Sequence, residues 1–297
     1  CLSLAAAVGL CQWLFGTFPG ESLLNDGRSW RGQLYIPGTR ELAATGTLQH
    51  RLKMSEMWLA AIAVVAGARA QGFSPVRAGL SMAVCLVFLA LTYTKAALGA
   101  GALAAILTII VMRREKTAGW ILTVVLGALI GILPAALHWG LLTTPELPVP
   151  RGSLAVRPWL WSYAADFFFQ HPVFGHGLGT YHGVVGPRVI SGNDTHMWGA
   201  HQQLLTIAVE TGTVGLVLFA LGMAGVGRAV ATGLTQAPSP DARALLCYAF
   251  TLFVALAITA AVHDVLYNPG TALLFWIACG IALGVHRKSR QAQAASF

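Results

Sequence analysis

The sequence predicts an all-α fold, a polytopic transmembrane helix bundle of about eight spans with an outer segment of short helices and loops. Three observations carry this. Hydrophobic residues make up 56% of the chain and charged residues only 10%, whereas about a quarter of a soluble domain is charged. Eight apolar runs approach the roughly 20 residues that cross a hydrocarbon core. Lysine and arginine gather in alternate connections, as short cytoplasmic loops require.

The runs are residues 1–17, 55–73, 78–94, 96–112, 118–140, 209–230, 243–264 and 270–285. The first lacks a basic start and a small-residue cleavage pattern, so it reads as a span rather than a removable signal. The chain opens on Cys1 instead of methionine and is expected to be N-terminally incomplete. If eight spans alternate, Arg69 and Arg77, then Arg113, Arg114 and Lys116, then Arg228 and Arg243, and finally Arg287, Lys288 and Arg290 share the cytoplasmic side. The long polar connections 18–54 and 141–208 then face outward. One membrane domain covers 1–297, with 141–208 as its large outer loop.

Residues 18–54 carry the turn pairs Pro19-Gly20, Asn25-Asp26 and Pro37-Gly38 and read as irregular. In the second loop Pro158 opens the aromatic-rich stretch WLWSYAADFFFQH, which suits a helix lying at the interface, and Pro172 ends it. The stretch HPVFGHGLGTYHG follows, and a polar run leads to the helix that carries His201. From His201 that helix is expected to run on without a break, because lipid leaves no partner for freed backbone groups. Gly212 then falls almost beneath His201, about 16 Å deeper. Ala208, Gly212 and Gly215 form a seam of small residues that a neighbouring helix can approach.

The net charge of +8 is mostly the positive-inside pattern, which excludes nucleic acid as a partner. The outer cations, Arg28, Arg31, Arg40, Arg51, Lys53, Lys95, Arg151, Arg157 and Arg188, exceed the outer carboxylates and predict an anionic substrate. All five cysteines lie in apolar runs, so neither a disulfide framework nor a thiolate metal site is expected. His138, His171, His176, His182, His196 and His201 crowd the outer segment, but their spacing suits no metal: His196 and His201 are five apart, missing the four-residue step that aligns two ligands on a helix. Gly175, Gly177 and Gly179 spell G-x-G-x-G without the strand or acidic partner of a dinucleotide site and read as a tight turn. Glu210, half a turn around from His201, is expected to pair with a polar group on another helix. Asp264, like Glu210, is an ionisable group near an apolar span and so a functional candidate by default; the alternative is that His263-Asp264 simply marks the water boundary of its span.

His201 is the leading catalytic candidate, because imidazole titrates near neutrality and can take a proton from an attacking hydroxyl. A nearby helix N-terminus would keep it neutral. A histidine that only anchors the helix is the alternative, and its spacing to Gly212 and Gly215 argues for catalysis. His201, Gln202, Gly212 and Gly215 together resemble the bacterial O-antigen ligase motif of histidine, then Asn, Ser or Gln, nine residues, glycine, two residues, then Gly, Thr or Tyr. Residues 171–181 resemble the glycine-bearing segment that precedes this motif in O-antigen ligases and polymerases, and Arg157 with Trp161 resembles the family's Arg-x-x-x-Trp. Gly46-Thr47 resembles its approach to the second span.

The resemblance implies a bacterial inner-membrane enzyme, with no cofactor and no metal. It would move a glycan from an undecaprenyl-pyrophosphate carrier to an acceptor hydroxyl on the periplasmic side. The acceptor is a lipid A core sugar in the ligases and another carrier-linked unit in the polymerases; the full motif is the ligase one. Membrane lipids are the remaining expected partners. His201 would be the base, and cations would hold the pyrophosphate. Arg157 is the first of these, its fork matching phosphate oxygens, although it equally suits snorkelling beside Trp159 and Trp161. Arg188 and Arg151 follow. Where the family has Ser-Arg-Gly, this chain has Thr94-Lys95-Ala96, so Lys95 keeps the charge but loses the fork. The rival from another class is a transporter or flippase, which would need broken helices or repeated halves.

Overall fold

The computed structural model describes residues 51–92, 94–113, 156–181, 199–237 and 239–294. The predicted spans 1–17 and 118–140 lie outside these residues, as do most of loop 18–54, Gly46-Thr47, Arg151 and Arg188. The described residues are helical and contain no strand: α1 (Arg51–Ala70), α2 (Pro75–Leu91), α3 (Lys95–Arg113), α4 (Val156–Gln170), α5 (Gln203–Thr235), α6 (Pro240–Ala260), a 3-10 turn (Val265–Tyr267) and α7 (Pro269–Ala294). The six predicted spans within the described regions each coincide largely with a helix. Three stretches, Gln203–Thr235, Pro240–Ala260 and Pro269–Gln291, are long and apolar enough to cross a membrane.

The boundaries follow from local chemistry. Gly72, at φ 105°, closes α1 in a conformation that costs glycine little. Ser74 caps α2 by accepting from Arg77 N at 3.3 Å, with Pro75 in the first turn, where its missing N–H costs nothing. Ser239 and Pro240 repeat the arrangement at α6, Ser239 Oγ accepting from Ala242 N at 3.2 Å.

By contacts the chain divides into two compact units, one of Cys1–Ala118, Val230–Leu256 and Asn268–Phe297, the other of Gly119–Ala229 and Ala257–Tyr267. In the first, Gly101 lets Leu89, Leu59 and Ile62 close over α3; a Cβ there would sit 2.7 Å from Leu89 Cδ2. Trp58 stacks on Phe88 with ring centroids 4.9 Å apart. α6 supplies the fully buried Phe250, Leu252 and Leu256, and Thr251 Oγ1 meets Thr108 Oγ1 at 2.7 Å. Outward faces are apolar as well: Val76, Leu80, Val84 and Val87 form an exposed stripe on α2, and Leu103, Ile106 and Ile110 another on α3. A soluble protein does not expose such continuous stripes, and a lipid-facing surface does. The chain is a membrane protein.

In the second unit α4 presents Leu160, Ala164 and Phe167, at helical spacing, to Tyr181, Ala200, Leu205 and Val209. Burying such a cluster is the chief force that holds α4 against the start of α5.

Candidate active site

α5 does not run on from His201. Its first helical residue is Gln203, and it breaks at Gly212, whose φ of 64° and ψ of −166° are not helical. The expected seam beneath the imidazole is therefore replaced by a different structure, in which the two glycine-bearing stretches interlock. His176 N donates to Val209 O at 3.0 Å and Gly177 N to Glu210 O at 2.8 Å. In return Thr213 N donates to Pro172 O at 2.8 Å and Val214 N to Val173 O at 3.1 Å. The backbone groups freed by the break find partners in the 172–177 stretch, which is how an interrupted helix is tolerated.

Two glycines make this approach possible. A Cβ on Gly212 would collide with the Val173 carbonyl, and one on Gly175 with the backbone of Glu210 and Thr211. Both also have positive φ, as do Gly177 and Gly179. Gly215 serves the same bend from below, because a Cβ there would collide with the Thr211 side chain. From Thr213 to Thr235 α5 still extends roughly 34 Å, enough for the roughly 30 Å hydrocarbon core.

His201 sits two residues ahead of α5, partly buried, at φ 51°. A left-handed conformation costs a non-glycine residue about 1–2 kcal/mol, and such strain persists where surroundings hold it. Here Asp264 holds it. The carboxylate accepts from His201 N at 2.8 Å through Oδ2 and from Thr206 Oγ1 at 2.7 Å through Oδ1. The same face of α5 grips the same turn further along: Gln203 Oε1 accepts from Leu266 N at 2.8 Å, and Glu210 accepts from Tyr267 OH and, at 3.0 Å, from Tyr181 N. Glu210 thus pairs with polar groups outside its own helix, as expected. Asp264 is far more than a boundary marker.

The His201 ring meets the His263 ring edge-on, centroids 5.4 Å apart. His263 Nδ1 accepts from Asp264 N at 3.0 Å, leaving Nε2 to carry the proton of the neutral ring. Trp161 Nε1 donates to Ala200 O at 3.0 Å, tying α4 to the residue before His201. One turn earlier on α4, Arg157 is partly buried; burial pushes its guanidinium pKa down and the charge of Asp264 opposes that. Its Nε has no hydrogen-bond partner. Gln202 is wholly buried, its Oε1 accepting from Leu205 N at 2.5 Å to cap the first turn. The Gln202 Nε2 is unpartnered.

Of the predicted site residues, the structure gathers His201, Gln202, Arg157, Gly175, Gly177, Gly212 and Gly215 in the second unit. Lys95 opens α3 in the first unit, with its side chain outside those described. His176 is structural, donating through Nε2 to Phe167 O at 2.8 Å at the end of α4. Among the described residues, no three His, Cys, Asp or Glu side chains are arranged to hold a metal ion. Sequence reasoning marked Asp264 only as a general functional candidate and Trp161 only as part of the Arg-x-x-x-Trp resemblance, and gave His263 no part in the site. A carboxylate next to a histidine at the end of an apolar run was the available signal for Asp264.

A family model described as O-antigen ligase matches residues 80–220, a stretch that holds both glycine motifs, Arg157 and His201 and stops short of Asp264. No curated protein matches the chain. Over residues 80–220 the chain is thus similar to the O-antigen ligases, which supports the resemblance carried by His201, Gln202, Gly212 and Gly215.

Proposed function

We propose that the protein transfers a glycan from an undecaprenyl-pyrophosphate carrier to an acceptor hydroxyl on the periplasmic side of the bacterial inner membrane. A lipid A core sugar is the favoured acceptor. The carrying observation is the strained His201, fixed by a carboxylate through its own N–H and by neighbours on α4 and α5. In this reading the imidazole takes the proton of the acceptor hydroxyl, whose oxygen bonds to the anomeric carbon of the glycan. The bond from that carbon to the pyrophosphate oxygen breaks, and the carrier leaves as its diphosphate. Arg157, with a buried unpartnered Nε and a charge that never leaves it, faces the growing negative charge. Lys95 and Arg188 are proposed as further phosphate contacts. A lipid carrier supplies its own leaving group, so this reading needs neither a cofactor nor a metal.

His201→Ala tests it. Transfer should disappear while the protein still inserts and keeps its thermal stability, and near-normal transfer would remove the assigned role. Offering the purified enzyme lipid A core or a second carrier-linked unit separates ligase from polymerase by which product forms.

The break in α5 is a feature that transporters share. Its backbone groups, however, are paired with the 172–173 carbonyls rather than presented to a substrate, which favours transfer over transport. Movement of labelled carrier across vesicles without covalent transfer would reverse this preference.

A further inference from the structure

A cavity of about 1230 Å³ opens in the first unit, among α1, α2, α3 and the junction of α5 with α6. This exceeds the roughly 300–1,000 Å³ of ordinary small-molecule pockets. Its walls on α2 and α3 are helical stripes, from Pro75 to Leu86 and from Ala105 to Met112. Its charged lining lies at one end, where Arg69 closes α1 and Arg243 begins α6, while Thr108 adds a hydroxyl to the α3 wall. Among the described residues the lining contains no carboxylate, and the nearby Asp241 accepts from Gln71 Nε2 at 2.7 Å. From Pro75 to Leu86 the wall descends roughly 16 Å, about half of the roughly 30 Å hydrocarbon core. A basic mouth over an apolar cleft one leaflet deep has the shape and charge of a membrane phospholipid.

We propose that this cavity binds a glycerophospholipid with an anionic headgroup, its phosphate at Arg69 and Arg243 and its acyl chains along Met82, Leu86 and Ile109. Guanidinium forks suit phosphate oxygens, and basic pockets between membrane helices hold anionic headgroups. The site is separate from the proposed transfer chemistry and stands whether or not that reading holds.

The test is native mass spectrometry of the full-length protein in neutral detergent, titrated with dioleoylphosphatidylglycerol or dioleoylphosphatidylcholine. The glycerol lipid should bind more tightly. Arg69→Gln and Arg243→Gln should each weaken it roughly fivefold and the choline lipid less, because the choline ammonium offsets the charge of its phosphate, and Arg69→Lys should restore much of the loss. A Cβ on Gly79, which lines the cavity, meets nothing within 4 Å, so Gly79→Phe should fill the cleft and weaken both lipids. Equal binding of the two lipids to the unaltered protein, or arginine variants that keep the preference, would overturn the proposal. So would binding of a polyprenyl phosphate in place of phosphatidylglycerol. Should Arg243→Gln fail to fold, the Arg69 variants decide alone.

Discussion

The two parts of α5 use glycine for opposite purposes. At the break, Gly212 has a positive φ and the Val173 backbone in the place of its side chain, and Gly215, just past it, lies under Thr211. Below it, Gly222 and Gly225 are ordinary helical residues whose Cβ would meet nothing within 4 Å. Above, polar side chains at 203, 206 and 210 are all engaged; below, Val214, Val217, Leu218 and Leu221 are exposed. One helix by assignment is thus a site-building piece followed by a span. The family motif, from His201 to Gly215, spans the first piece and the break.

The sharpest way to break this contrast is Gly212→Ala. It adds about 1–2 kcal/mol for the left-handed backbone and about 1–3 kcal/mol for forcing the 172–174 stretch away. Thermal unfolding should fall by several degrees and transfer should be lost with it. Retention of both would mean that the interlock is dispensable.

Asp264→Asn comes next. The amide keeps one acceptor oxygen, so either His201 N or Thr206 Oγ1 loses its partner, at about 1.5–3 kcal/mol for a bond to a charged group. If Asp264 positions His201, transfer should fall well beyond what the modest drop in stability explains. Thr206→Val, which removes only one arm of the clamp, should lower transfer less. Equal effects of the two on stability, with transfer untouched, would reduce Asp264 to a strut.

These residues also show what the sequence could reveal. Helix α4 was legible because Pro158 and Pro172 bracket an aromatic run, and the observed helix, Val156–Gln170, agrees. The importance of Gly212 and Gly215 was legible too, but the reason was not. A periodicity argument assumes a continuous helix, whereas the carbonyls that satisfy the break come from residues some 40 positions earlier. Asp264 was legible as a candidate, but its role was hidden for a related reason: it holds the main-chain N–H of His201 across 63 positions, and a backbone group leaves no signature in residue type. Glu210 was easier, since a carboxylate in an apolar run must find a donor.

A milder test of the α4 link is Trp161→Phe. The indole N–H to Ala200 O is a neutral hydrogen bond, about 1 kcal/mol, and phenylalanine retains most of the packing against the cluster at Leu205. Stability should drop by that amount, with a partial loss of transfer if Ala200 helps hold His201 at its φ of 51°.

Smallest of all should be Gly222→Ala and Gly225→Ala. With open space at both Cβ positions and helical backbone around them, alanine should be neutral or stabilise by up to about 1 kcal/mol, with transfer unchanged. The pair works as the internal control for Gly212→Ala, because all three changes add the same methyl group to the same helix. If Gly222→Ala or Gly225→Ala proved as damaging as Gly212→Ala, the cost would belong to the helix as a whole. The division of α5 into a piece that builds the site and a piece that crosses the membrane would then fail.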